Sequence, residues 1–290
     1  MSGTYRKAAA ALVVGIVAVG AGLGADMRSA AAAEWSDTSI GYRYGTKFRE
    51  PFNDKDIKKN ILDFQHVSGY KYGTNFVNID LLMSDKNDPG DGVAGHEGAQ
   101  EAYVVYRNTI DIGKVMGTEL KYWGVIRGIG ATVGFDWNTK NDGYSSKKRM
   151  LVVGPTLMMD VPGFMNISVH ELFESNAPTG IADRYNYDAH PMFEIAWGIP
   201  IWDSPFSWEG YFDYIASKGK DEFGGDTAPE THLDMQIMLD VGRVLGGPKQ
   251  TFKVGLEYEY WKNKFGNDHN GIAGDGAFAK TPMIRAEYHF

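Results

Sequence analysis

The stretch FAKTPMIRAEYHF, residues 278–290, alternates up to its last residue. Phe278, Lys280, Pro282, Ile284, Ala286, Tyr288 and Phe290 form one set, and Ala279, Thr281, Met283, Arg285, Glu287 and His289 the other. A period of two is a strand signal, and the final strand of a soluble domain is usually followed by a few loose polar residues. Here the aromatic terminus still belongs to the strand. The same period recurs upstream. QTFKVGLEYEYW sets Phe252, Val254, Leu256, Tyr258 and Tyr260 against Lys253, Gly255, Glu257 and Glu259. THLDMQIMLDVGR sets Leu233, Met235, Ile237, Leu239 and Val241 against His232, Asp234, Gln236, Met238, Asp240 and Gly242, and FSWEGYFDYI sets Phe206, Trp208, Phe212 and Tyr214 against Ser207, Glu209, Tyr211 and Asp213. One face is apolar and aromatic; the other is polar, charged or Gly.

A half-buried soluble sheet also alternates, so the connections decide. Strands are expected near 38–48, 60–70, 72–84, 98–110, 119–138, 146–160, 163–175, 188–201, 205–219, 229–245, 249–264 and 277–290. The joins SGYKYG, DVPG, WDSP and GGPK are tight, whereas REPFNDKDIKKN, DKNDPGDGVAGHEG, ESNAPTGIADRYN and KGKDEFGGDTAPE are long and polar. DIGKVMGT is the loosest of the short set and TKNDGYSS the shortest of the long set. Tight and long joins alternate along the chain. An even strand count with short turns at one end and long loops at the other describes an antiparallel transmembrane β-barrel of about twelve strands, with periplasmic turns and extracellular loops.

Composition agrees. Hydrophobic residues make up 43% and aromatics 13%, there is no Cys, and the formal charge is -8. Disulfides and thiolate metal sites are excluded, and nucleic acid is not an expected partner because the basic residues are spread singly. At the amino terminus Arg6 and Lys7 precede the run AAAALVVGIVAVGAGLGA and an Ala-rich stretch before Glu34. That layout predicts a secretory signal peptide over 1–33, cleaved after Ala33, and a barrel over 34–290. The alternative is an uncleaved anchor, since the apolar run is nearly long enough to span a bilayer. Together these features predict an outer-membrane protein of a Gram-negative bacterium, in contact with outer-membrane lipid.

A barrel of this size encloses more room than the roughly eight-stranded barrels whose side chains fill the interior. The inward set carries Glu209, Asp213, Asp234, Glu257, Glu259, Arg285 and Glu287, and Tyr103, Tyr211 and Trp261 share that face. Two interiors are compatible with these residues: a water-filled channel with charged walls, or a closed interior braced by ion pairs. Trp197, Trp208, Tyr258 and Tyr288 are expected as girdle aromatics at the membrane interfaces.

The segment ILDFQHVSGYKYGTNFVNIDLLMSDKND (61–88) resembles the second and third strands of the Tsx-type nucleoside-specific outer-membrane channels, through Leu62, Asp63 and Phe64, the aromatic turn Tyr70 to Tyr72, and Asp80. TKF at 46–48 and LEYEYWKNKFGND at 256–268 are similar to the family's first and penultimate strands. The resemblance implies passive diffusion of nucleosides or other small solutes, with Phe48 as a ligand contact and Asp80 on the pore wall. It also implies that Tyr288 and Phe290 form the terminal signal read by the barrel assembly machinery. A general small-solute or structural barrel is the alternative. An outer-membrane lipase is a third reading, raised by Ser168 and His170, but that pair lies on the polar side of its strand, away from lipid. No catalytic activity, cofactor or metal is expected: His96-Glu97 lacks the HExxH spacing, and DKNDPGDG lacks that of an EF-hand.

Overall fold

The computed structural model describes residues 33–290. The expected signal peptide lies outside the described residues apart from Ala33. Thirteen strands form one antiparallel sheet: β1 (Trp35–Glu50), β2 (Asn53–Tyr70), β3 (Gly73–Ser84), β4 (Gln100–Asp111), β5 (Ile126–Lys140), β6 (Arg149–Met159), β7 (Phe164–Asn176), β8 (Tyr185–Asn186), β9 (His190–Pro200), β10 (Phe206–Ile215), β11 (Glu230–Asp240), β12 (Phe252–Lys262) and β13 (Phe278–His289). Each stave pairs with the next, β7 pairs with β9, and β13 returns to β1. The two-residue β8 is a loop ribbon on the end of β7. The result is a closed barrel of 12 staves.

The pairing register carries the sequence alternation around the ring. Ile40, Leu62, Phe135, Leu151, Leu256 and Ile284 are exposed on the outside, while Asp63, Asp136, Ser168, Asp234 and Glu287 are buried on the inside. Trp208 and Tyr288 lie on the outer face as expected, but Trp197 is only 5% exposed because it packs against Trp208 at 4.8 Å.

Three expectations about the joins need correction. REPFNDKDIKKN is not a loop: β1 and β2 continue through it to a two-residue turn at Pro51-Phe52, with Glu50 opposite Asn53. Asp56 and Lys58 point outward and are exposed there, while Ile57 and Lys59 point inward. Charge on the outer face made a strand resemble a loop. The strand expected at 119–138 begins only at Ile126. Finally, the expected tight join after β4 and the last five residues of the strand expected at 229–245 form short helices at the turn end, α1 (Ile112–Met116) and α2 (Val241–Leu245). They share one pattern. Asp111 caps α1 by accepting from the Lys114 amide, and Asp240 caps α2 by accepting from the Arg243 amide. Gly117 and Gly246 end them with φ of 68° and 74°, the left-handed conformation that glycine adopts readily. The stretches read DIGKVMG and DVGRVLG, and both leave an apolar pair exposed, Val115 with Met116 and Val244 with Leu245.

Inside the half nearest the loops, two apolar clusters sit on the wall. Phe48, Ile57, Ile61 and Met283 form one, and Met150, Val152, Leu172 and Met192 the other. Phe48 reaches its place through register shifts on either side of it in the β1–β2 ladder. Its ring is 3% exposed. Phe48→Ala should therefore destabilise the folded barrel by about 3–5 kcal/mol, measurable as a shift in urea unfolding in lipid vesicles; an unchanged midpoint would show that the ring is not packed.

Candidate functional site: the inner wall

Closure sets Arg43 of β1 directly opposite Arg285 of β13. Two like charges facing each other across a ladder repel, and carboxylates from the flanking strands compensate. Glu257 of β12 accepts from Arg43 at 3.2 Å and from Arg285 at 3.1 Å, and Asp63 of β2 lies 3.5 Å from both guanidinium groups. Asp80 completes the Arg43 side, and Glu287 the Arg285 side. The side chains of Asp63 and Glu257 have no exposed surface. Gly41 makes room for this network, since a Cβ there would lie 2.3 Å from Asp63 Oδ1.

A second group lies further round the ring, on β4 and β5. Arg107 donates to Asp136 at 2.5 Å, Tyr103 donates to the same carboxylate at 3.1 Å, and Lys148 reaches the Tyr103 hydroxyl at 3.3 Å. Toward the loop end Glu50 collects three ammonium groups, from Lys59 at 2.6 Å, Lys264 at 3.2 Å and Lys140 at 3.4 Å. Lys140 also touches Asp88 and Asp142, so one side chain ties β5 and two loops to the tip of β1. Lys218 similarly joins Glu174 at 3.0 Å and Glu230 at 3.7 Å. Above it, Glu222 of the 216–229 loop accepts from the hydroxyls of Tyr144 and Tyr185. Burial, reinforced by that carboxylate, raises the pKa of the Tyr144 phenol above its ordinary value.

The wall formed by β9 to β12 differs. His232 stacks on Trp261 with ring centroids 4.1 Å apart and an interplanar angle of 11°, and Tyr211 meets His232 edge-on at 5.1 Å. Phe265 extends the aromatic run toward the loops, 4.8 Å from Trp261. Trp261 is anchored by its indole N–H donating to Glu230 at 3.2 Å. Beside these rings Asp213 lies opposite Glu194, and Asp234 opposite Glu259. Among the described residues none of these four carboxylates has a Lys or Arg in ion-pair contact. The wall combines flat rings with uncompensated acceptors.

The site residues expected from the sequence thus fall into separate groups. Asp80, Glu257, Arg285 and Glu287 belong to the ion-paired seam, and Tyr103 to the Arg107 group. Glu209 binds Lys253 at 3.4 Å and accepts from Ser207 and Gln236. Tyr211, Asp213, Asp234 and Glu259 share the aromatic, acidic wall. Phe48 is a packing residue rather than an open ring. Tyr288 and Phe290 lie outside, 54% and 68% exposed and stacked on each other. Sequence reasoning missed Arg43, Lys59, Arg107 and Lys140, whose carboxylate partners lie on other strands or in loops. Ser168 and His170 both point inward: Ser168 shares a hydrogen bond with Thr156 at 2.9 Å, and neither ring nitrogen of His170 has a partner.

No protein-family model matches the chain, and no curated protein matches it by sequence. Among solved structures, the NanC porin aligns over 88% of this chain and 99% of its own, with 11% identity and a TM-score of 0.46. The KdgM porin aligns over 87% and 99%, with 8% identity and a TM-score of 0.44. The translocator domain of the autotransporter NalP from Neisseria meningitidis covers 98% of both chains at 10% identity, with a TM-score of 0.41. At this level the similarity concerns barrel architecture alone.

The two kinds of wall carboxylate should respond differently to neutralisation. Glu257→Gln removes the charge shared by two buried arginines and should destabilise the barrel by about 3–5 kcal/mol. Glu259→Gln, with no Lys or Arg in contact, should change stability by less than about 1 kcal/mol. Urea unfolding in vesicles compares them, and equal effects would contradict the division of the wall. Gly41→Ala should also destabilise, by about 1–3 kcal/mol through overpacking, because the added methyl displaces Asp63.

Proposed function

We propose that the chain is a passive outer-membrane channel for small polar solutes, with nucleosides as the preferred class. The membrane part of this reading rests on the apolar outer face and on closure, because unpaired strand edges cost several kcal/mol per backbone group in hydrocarbon. The nucleoside part rests on one observation, the Tyr211–His232–Trp261 ring cluster beside the unpaired carboxylates of the inner wall. Stacking of a base on an aromatic ring is worth about 1–3 kcal/mol. Carboxylates beside the rings can accept from sugar hydroxyls and repel phosphate, so neutral nucleosides suit this wall better than nucleotides. The resemblance to Tsx-type channels in the second, third and penultimate strands points the same way. In this reading Tyr288 and Phe290 are also the signal recognised by the assembly machinery.

The packed clusters around Phe48 and Met150, with the Lys140 ties at the loop end, favour a second reading: a structural barrel that conducts little. Planar-bilayer recordings separate the two. A channel should show discrete ion conductance that nucleosides block, and Trp261→Ala should weaken that block about tenfold while changing the ligand-free current little. A barrel that inserts without conducting would support the structural reading. Loss of current and block in equal measure would place selectivity away from Trp261. Orientation has its own test. An epitope at Asp226, in a long loop, should be detected on intact cells, and one at Gly247, beside α2, should not; the reverse pattern would invert the barrel.

A further inference from the structure

We propose that the inner wall carries a divalent metal site formed by His232, Asp234 and Glu259. The three residues come from two adjacent strands. His232 and Asp234 are two apart on β11 and so face the same side, and Glu259 on β12 is the direct ladder partner of Asp234. One ligand atom from each lies within 4.8 Å of the other two.

Two further features point to a cation. Asp234 and Glu259 are each 8% exposed and stand opposite one another, yet neither has a Lys or Arg in contact among the described residues. Like charges in that arrangement destabilise a ladder, and burial adds a desolvation cost that calls for compensation. Moreover, Glu259 Oε1 is sealed from water and has no hydrogen-bond partner among the described residues, although buried polar atoms in folded proteins almost always have one. At the seam such groups meet Arg. Here an imidazole takes that position, its Nε2 lying 3.9 Å from Glu259 Oε2.

The imidazole is also held for the purpose. Stacking on Trp261 and the edge contact from Tyr211 fix the ring plane, so ligation would cost little rotamer entropy. Among the described residues, the only hydrogen bond at Nε2 is a long one of 3.4 Å with the Tyr211 hydroxyl. A divalent ion would balance the two carboxylates. Imidazole with carboxylate suits Zn²⁺ and its first-row neighbours better than Mg²⁺ or Ca²⁺, which prefer all-oxygen shells. Ligand distances of about 2.0–2.2 Å require only that the three side chains close inward.

The proposal stands apart from the solute reading, because binding is measured without transport. The mature barrel, purified in detergent and stripped of metal, is titrated with zinc chloride near neutral pH by calorimetry. We expect one saturable Zn²⁺ per barrel. His232→Gln and Glu259→Gln should each weaken binding at least tenfold, with unchanged heat-modifiable mobility as the folding control. Asp213→Asn and Glu194→Gln should leave it within about twofold. Zinc-edge absorption should show one imidazole nitrogen among oxygen ligands. No saturable binding by the unmodified barrel would overturn the site, as would equal losses in all four variants, which would indicate a diffuse acidic wall, or an all-oxygen shell. Conductance and nucleoside block can fail while these results hold, and the reverse.

Discussion

The seam between β1 and β13 is the constraint on which the other features depend. Its register runs from Ser39 opposite His289 to Gly45 opposite Met283, and it removes the two free edges that twelve staves would otherwise expose. Closure fixes parity around the whole ring, since a slip by one residue at any ladder would turn a strand's polar set outward. It also creates the electrostatic problem of the interior by placing Arg43 against Arg285. Glu257 and Asp63, from the strands beyond the seam on either side, resolve it. Closing the backbone ladder and assembling the buried ion network are therefore one event, and neither arginine has its full set of partners in an open sheet.

The interior that results is uneven. Around the seam, charge is neutralised locally and braces the wall. Toward the loops, apolar clusters and bridging lysines narrow the barrel and hold its outer segments together. Among the described residues, only along β9 to β12 are inward carboxylates left without cations, and that is also where the Tyr211, His232 and Trp261 rings gather. Buried charge that is already paired has little to offer a solute or an ion, whereas unpaired charge beside flat rings can exchange neighbours. In the proposed reading, functional capacity is thus confined to one sector of the wall, where the structure is least self-satisfied.

The sequence made the architecture legible because membrane barrels separate polar from apolar positions so regularly. Strands such as Phe252–Lys262 show both faces in full, and their inward residues could be named in advance. Legibility failed where the outer face leaves hydrocarbon. Asp56 and Lys58 broke the pattern in β2, and α1 was read as a plain turn and α2 as the end of a strand because five-residue helices carry almost no periodicity. Within the wall, direction was readable but partnership was not. Nothing in LEYEYW says that Glu257 is bound by two arginines while Glu259, two residues on, has none; that depends on neighbours distant in sequence. The grouping of His232 with Glu259 was hidden for the same reason, since its ligands come from separate strands and match no spaced motif.

The repeated capped hooks at the turn end have a mechanical consequence. The joins that carry α1 and α2 fall on opposite sides of the ring, six staves apart in the order of pairing. Each presents a small apolar pair, Val115 with Met116 or Val244 with Leu245, of the kind that settles at a lipid headgroup boundary. In the proposed membrane setting, two such outriggers would grip the leaflet at the turn end, at the ends of one diameter. Rocking along that diameter lifts one pair out of the interface while driving the other deeper, but rocking about it moves neither. In a bilayer this barrel would therefore be stiff toward tilt in one direction and compliant in the perpendicular one, an anisotropy set by two copies of a seven-residue phrase.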